Sequence, residues 1–241
     1  MCYNKSTIEK LGDLRLQSEL FKNLRGKEAF DGIPQYNALR LQKLPVIATR
    51  EGEIRAFKAL WWLIPHWSKT GKPEVTAFNA RAESVAGSRL FAPYLKTNRC
   101  LVPVSAFFEY SSREIVRIEQ SGKVKSVKQP YCIRMKDEQP FMLAGIYSVW
   151  INKQTGEELP TYAVITTTPN SVLEPIHNRM PVILEEKNFE RWLDPGFGDS
   201  GALKNLLMPY PATKMKAYPV SAAYLYDRNH NDRKCWEPQT T

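Results

Sequence analysis

From residue 44 onward the apolar residues of this chain come in runs of strand length, and that succession limits the possible fold more than any other feature. Val46-Ile47-Ala48-Thr49 and Ile54-Arg55-Ala56-Phe57 flank Glu51-Gly52, the pattern of a β-hairpin. The second run continues into Leu60-Trp61-Trp62-Leu63-Ile64-Pro65. Further strand-like runs follow at Cys100–Glu109, Tyr131–Met135, Phe141–Trp150, Thr161–Thr167, Met180–Leu184 and Met215–Val220. Helical recurrence is weaker. Ile8, Leu11, Leu14, Leu16, Leu20, Phe21 and Leu24 predict one or two short amphipathic helices that end near Gly26. Val85, Ala86 and Leu90 predict another, stopped by Pro93, and Ser171–Ile176, Asn188–Leu193 and Ala202–Leu207 three more. Strands in this number with scattered helices predict an α+β fold: a single compact domain with a barrel-like, mostly antiparallel β core and peripheral helices. The domain is expected over residues 1–226, with 227–241 a polar, mobile C-terminal tail. Residues 111–129, rich in Ser, Lys and Gly, read as a polar β-connection.

The 241 residues fit one large domain, and 43% hydrophobic content is enough for a packed core. The formal charge of +9 favours a polyanionic partner such as nucleic acid or an anionic membrane surface, though a merely basic protein carries the same charge. The start of the chain, Cys2-Tyr3-Asn4-Lys5-Ser6, lacks the apolar run of a secretory signal. No run approaches the ~20 apolar residues of a membrane span. Cys2, Cys100, Cys132 and Cys235 are dispersed and form no CxxC pair, which argues against a disulfide scaffold or a zinc site. A reduced, cytoplasmic protein without metal or cofactor is expected, with Cys2 a free thiol.

Cytosolic aminopeptidase removes Met1 when the next side chain is small, and Cys2 qualifies. Removal would leave an α-amine and a thiol on adjacent carbons. That pair condenses with an aldehyde to an imine and closes a five-membered thiazolidine. The α-amine titrates near 7.7–8.0, so it is partly neutral without tuning, whereas a lysine near 10.4 requires burial. On position alone, an incidental residue near a chain end is the commoner case.

Other segments shift that weighing. In Phe78-Asn79-Ala80-Arg81-Ala82-Glu83-Ser84, Asn79 and Arg81 face one side if the chain is extended and can both donate to phosphate or sugar oxygens. A helix start capped by Asn79 is the alternative. Glu109 stands in Val102-Pro103-Val104-Ser105-Ala106-Phe107-Phe108-Glu109-Tyr110, where burial beside aromatics would raise its pKa and suit a general acid; an edge-strand carboxylate in water is the rival. His177 lies in a turn-like segment between a predicted helix and an apolar strand, where it can relay protons or serve as a hydrogen-bonded turn residue. Trp61, Trp62 and Trp67 come near Arg81, Arg89, Lys96 and Arg99, an interleaving that suits stacked bases and phosphates. Trp61 and Trp62 point to opposite sides of a strand, so at least one belongs to the core.

Taken in order, Met1-Cys2, Tyr36-Asn37, Trp62-Leu63-Ile64-Pro65 with Trp67, Asn79-Ala80-Arg81-Ala82-Glu83, Ser88-Arg89-Leu90-Phe91, Arg99-Cys100-Leu101-Val102-Pro103, Phe108-Glu109-Tyr110 and His177-Asn178-Arg179-Met180-Pro181 resemble the SRAP family, the SOS-response-associated peptidases understood as abasic-site processing proteins. The set spans most of the chain. The resemblance implies a covalent crosslink between Cys2 and the ring-opened abasic aldehyde in single-stranded DNA, with weak AP-lyase activity as a side path. It implies Asn79, Glu109 and His177 at catalytic positions, Arg81 and Arg89 on phosphate, and Trp62 near the bases. It also implies a monomer, cytoplasmic and nucleoid-associated when on DNA. The family often begins Met-Cys-Gly-Arg, whereas Tyr3 and Asn4 follow Cys2 here, and Lys5 is the substitute for the missing arginine. Two rivals stand beside this reading: a cysteine-dependent peptidase or amidase built on Cys2, His177 and Glu109, and a non-catalytic single-strand binder using Trp62, Arg81 and Arg89.

Overall fold

A computed structural model describes residues 4–10, 12, 18–120 and 122–239. Thirteen strands are found among them: β1 (Asn4–Ser6), β2 (Ala38–Leu39), β3 (Lys43–Arg50), β4 (Glu53–Trp61), β5 (Asn79–Arg81), β6 (Arg99–Val104), β7 (Ala106–Gln120), β8 (Lys123–Met135), β9 (Phe141–Ile151), β10 (Glu158–Thr167), β11 (Met180–Pro181), β12 (Ile183–Leu184) and β13 (Met215–Pro219). Four short α-helices are α1 (Ala92–Thr97), α2 (Phe189–Leu193), α3 (Ser200–Leu206) and α4 (Ala222–Tyr226).

The β3–β4 hairpin forms where expected. Glu51 and Gly52 both take positive φ, 55° and 78°, the left-handed pair whose twist matches two-residue hairpins. β4 then pairs in parallel with β10, β10 antiparallel with β9, β9 with β6, and β6 with β3. Those five strands return to their starting point, a closed mixed barrel with no free edge along that circuit. A second sheet runs in the order β13-β8-β7-β1-β2. The fold is α+β, a single barrel-like domain.

Alternation along the barrel strands covers two faces. On β6, Cys100, Val102 and Val104 join Phe107, Ile133 and Met135 of the second sheet, while Leu101 joins Trp192 and Leu193 of α2. Arg99, 2% exposed, pins the helical layer. Its guanidinium donates to the carbonyls of Leu95 (2.8 Å), Lys96 (2.7 Å), Trp192 (2.7 Å) and Asp194. A buried planar fork thereby satisfies carbonyls at the ends of two helices. Gly26 docks the preceding segment on β4. Its φ is +74°, and a Cβ there would overlap the Ala56 carbonyl.

Several expectations need correction. Pro93 begins α1 rather than stopping a helix, because its fixed φ and missing N–H suit a first turn. Ser171–Ile176 forms consecutive turns anchored on Asn170, whose carbonyl accepts from Leu173 and Glu174. Met180–Leu184 splits into β11 on β10 and β12 on β9. Of residues 6–30, the described part holds two 3₁₀ turns, Glu19–Phe21 and Lys27–Phe30; Leu11, Leu14 and Leu16 lie outside the described residues.

The segment from Asp227, read as a mobile tail, is docked through residue 239. Trp236 is 3% exposed and meets Tyr36 edge-on at 5.0 Å, with the Arg134 guanidinium 4.5 Å from its ring. The Asn231 side chain accepts from the backbone N–H of Tyr36 (2.7 Å) and Asn37 (3.3 Å). One aromatic anchor outweighs the polar composition of its neighbours.

Candidate active site at the start of the second sheet

The second sheet positions the site. β1 is inserted between β7 and β2, with Asn4 opposite Phe108 and Leu39. Asn4, 4% exposed, donates from its amide to the Asn37 side-chain oxygen at 2.6 Å, and Asn37 donates to the Asp227 carbonyl at 3.3 Å. The Tyr36-Asn37 motif therefore fastens the first described residue to the C-terminal segment. Cys2 lies outside the described residues. It is two residues before Asn4, so its Cα stands no more than about 7–8 Å from that of Asn4 by chain geometry.

Beside Asn4 opens a cavity of about 490 Å³, lined by Glu109, Tyr110, Lys128, His177 and Arg40 among others. The aromatic run that carries Glu109 forms β7, and the register opposite Tyr131 leaves Glu109 1% exposed. Burial pushes its carboxyl from 4.5 up to about 7. His177 follows the Asn170-anchored turns, its backbone N–H donating to Leu173 at 2.8 Å. Its Nδ1 accepts from the Arg179 backbone N–H at 3.1 Å, so the neutral ring carries its proton on Nε2. Burial lowers the imidazole to about 4, with help from nearby positive charge that includes Lys128 and Arg179. A carboxyl raised toward neutrality and an imidazole held neutral thus line one cavity, the separation of roles that acid–base chemistry requires.

Asn79 is in an extended strand, not at a helix start: β5 pairs in parallel with β10, Asn79 opposite Val164 and Arg81 opposite Thr166. Asn79 is half-buried and Arg81 exposed. Among the described residues Trp62, Asn79, Arg81 and Arg89 do not line the cavity. Phe78, the residue before Asn79, has its ring 5.4 Å from the guanidinium of Arg40, which lines the cavity. Trp62 is half-buried, its Nε1–H donating to the Val75 carbonyl at 2.8 Å and its ring tilted on Phe78 at 5.1 Å. Trp61 is the core member of the pair, fully buried and donating to Phe78. Trp67 is 61% exposed, and Arg89 is exposed just before α1.

Two cations assigned to DNA by sequence are buried instead. Arg99 holds the helix ends described above. Lys5 is fully buried with its ammonium 5.1 Å from the Trp61 ring and 5.2 Å from Tyr162, where burial excludes phosphate contact. Lys5 is therefore no substitute for the family's early arginine.

A clamp escaped the sequence reading. Arg179 makes a bidentate pair with Glu83 (2.7 and 2.9 Å) and donates to the Thr166 carbonyl at 2.6 Å. It joins the segment after Asn79 to the segment after His177 through β10. Glu83 and Arg179 both sat in recognisable motifs, but nothing in their spacing, 96 residues apart, announces a pair. Arg40, Lys128 and Arg228, which bring positive charge to the cavity, were also missed; Arg228 lay in the supposed tail. No group of three His, Cys, Asp or Glu side chains able to hold a metal occurs among the described residues, and no described helix is long and apolar enough to cross a membrane.

The family description "SOS response associated peptidase (SRAP)" matches residues 1–224. The chain belongs to the SRAP family. Abasic site processing protein YoqW of Bacillus subtilis (strain 168) is 36% identical to this SRAP chain over 198 residues, covering 82% of it and 84% of the relative. Abasic site processing protein HMCES of Rattus norvegicus is 27% identical, over 85% of this chain and 65% of that protein. An X-ray crystal structure of a protein from Bacteroides thetaiotaomicron superposes with a TM-score of 0.80 at 28% identity, covering 99% of the SRAP chain and 100% of that one.

Proposed function

We propose that this protein binds single-stranded DNA at an abasic site and captures the ring-opened sugar aldehyde on mature Cys2. The amine of Cys2 attacks the aldehyde carbon, water leaves, and an imine forms. The thiol then adds to the imine carbon and closes a thiazolidine, leaving protein and DNA covalently joined. Glu109 donates a proton during ring opening and loss of water, a task suited to a carboxyl titrating near 7. His177, neutral at cellular pH, passes protons at the sugar through its ring. Asn79 orients the sugar and the terminus, Arg81 and Arg89 meet phosphates, and Trp62 meets bases. An imine that escapes the thiol permits β-elimination, hence weak lyase activity.

The observation that carries the proposal is the cavity itself: Glu109 and His177 line it together with Asn4, two residues after the proposed nucleophile. Naming of the relatives as abasic site processing proteins supports the choice of aldehyde.

The test mixes mature protein with single-stranded DNA bearing one abasic site and looks for a denaturation-stable adduct. Cys2→Ser should abolish it; an equally abundant adduct from that variant contradicts the thiazolidine. Turnover of a peptide without DNA would favour the hydrolase rival, and salt-sensitive binding indifferent to Cys2 the plain binder.

A further inference from the structure

The β7–β8 hairpin outgrows the sheet that carries it. After an irregularity between Tyr110 and Ile115, the two strands stay paired out to Gln120 and Lys123. One face of this arm is covered. Ile118 is 8% exposed, Gln120 donates to the Tyr226 carbonyl at 3.4 Å, and the Tyr226 hydroxyl donates to the Lys128 carbonyl at 3.2 Å, so α4 and its end pack beneath. The other face is bare. Its cross-strand pairs are Ile115 with Lys128, Arg117 with Ser126, and Glu119 with Val124, all exposed. Ile115 is 62% and Val124 71% exposed.

Cations outnumber carboxylates on the arm. Arg117 and Lys128 stand on the bare face with Glu119, while Lys123 and Lys125 pair on the covered face with Gln120 and Ile118, and Arg113 and Glu114 lie in the irregular stretch before them. Glu114 is engaged by the Tyr131 hydroxyl at 2.8 Å. The bare face is also continuous with the cavity: Lys128 lines it, and its charge acts on His177. From Ile115 to Glu119 the face extends about 14 Å at about 3.4 Å per residue, comparable to the rise of about four stacked nucleotides.

We propose that the bare face of the β7–β8 arm is a track for the single strand on one flank of the abasic site, with Lys128 and Arg117 on successive phosphates and Ile115 against the sugars or bases between them. This rests on the proposed single-strand chemistry and extends its footprint beyond the cavity. Two cations beside exposed aliphatic side chains on one β-surface fit a polyanion with apolar faces, whereas a protein interface core is depleted in charge.

The experiment uses two oligonucleotides, each carrying a non-reacting tetrahydrofuran analogue of the abasic sugar. One ends just beyond the analogue on both sides and the other runs well past it. The wild-type protein should bind the longer more tightly and with steeper salt dependence. Arg117→Glu should remove most of that length advantage and make the slope of log affinity against log salt on the longer strand shallower by at least about 0.7, the single-strand value for one phosphate contact. Arg117→Lys should retain the advantage. With a reactive short strand, Arg117→Glu should give the wild-type yield of adduct. A wild-type length advantage in Arg117→Glu overturns the track. So does a wild-type dimer broken by Ile115→Ser with DNA affinity unchanged, which would make the face a protein interface. Absence of adduct from wild-type protein on the short strand would instead sink the Cys2 chemistry, a separable failure.

Discussion

Replacing Glu109 by Gln isolates the energetic consequence of burying that carboxyl. The group is 1% exposed, and burial carries it from 4.5 to about 7. Its folded-state value lies above its unfolded one, so between those two pH values the native protein holds a proton that the unfolded chain has released. Stability therefore falls as pH rises through that window, by about 1.4 kcal/mol per pH unit, and levels off above about pH 7. The full penalty is about 3 kcal/mol. Glutamine cannot ionise and fills the same space, so Glu109→Gln should match wild type near about pH 4.5 and exceed it by up to about 3 kcal/mol near pH 8. For a chain of this size that corresponds to roughly 6–12 °C in Tm. Urea denaturation of both proteins across this range measures the difference directly and needs no DNA. Wild-type and variant stabilities that run parallel in pH would refute the claim that desolvation raises this carboxyl. The same substitution should slow adduct formation, so a more stable and slower protein is the expected pair of outcomes.

Arg179→Lys should fail to span Glu83 and the Thr166 carbonyl together, since an ammonium has no bidentate fork; a loss of about 1–3 kcal/mol in stability and a slower adduct rate are expected from denaturation and single-turnover assays. His177 is already neutral above about pH 5, so the adduct rate between pH 5 and 8 should reflect the Glu109 titration near 7, lost in Glu109→Gln, together with deprotonation of the Cys2 amine near 7.7–8.0; a further inflection near 6.5, absent from His177→Ala, would contradict the assignment. Because its imidazole is lowered on folding, His177 weakens the native state only as pH falls below its ordinary value of 6.5, the reverse of the Glu109 window. Trp236→Ala should cost about 3–5 kcal/mol and open the segment after Asp227 to protease, which limited proteolysis would detect; unchanged cleavage would contradict the anchoring described here.

The strands were legible because their residues alternate against cores on both sides. The β3–β4 hairpin followed from two strand-length runs flanking Glu51-Gly52, and the run around Glu109 marked a strand but left open whether its carboxylate was buried or at an edge. What remained hidden depends on partners distant in sequence. Lys5 and Arg99 look like surface cations until Trp61, Tyr162 and the helix-end carbonyls close around them. Composition made the C-terminal segment seem mobile, because a single Trp236 among polar residues gives no periodic signal. Pro93 is ambiguous by nature, since proline both ends helices and begins them. Glu109 and His177 were named from local context, but their common cavity, and the Arg40, Lys128 and Arg228 charges around it, arise from strand order that no local pattern encodes.

β1 is an interior strand of its sheet, yet one of the two strands that flank it comes much later in the sequence. Its neighbour β7 begins 100 residues after Ser6, at Ala106, and the wall supplied by Leu225, Tyr226 and Arg228 emerges later still. A growing polypeptide accordingly holds β1 without β7 beside it until Ala106 and the residues after it have emerged. Any reactive group just ahead of that strand is exposed during this interval without the acid and imidazole meant to govern it, and a product truncated before Leu225 would keep the nucleophile while lacking one side of its enclosure.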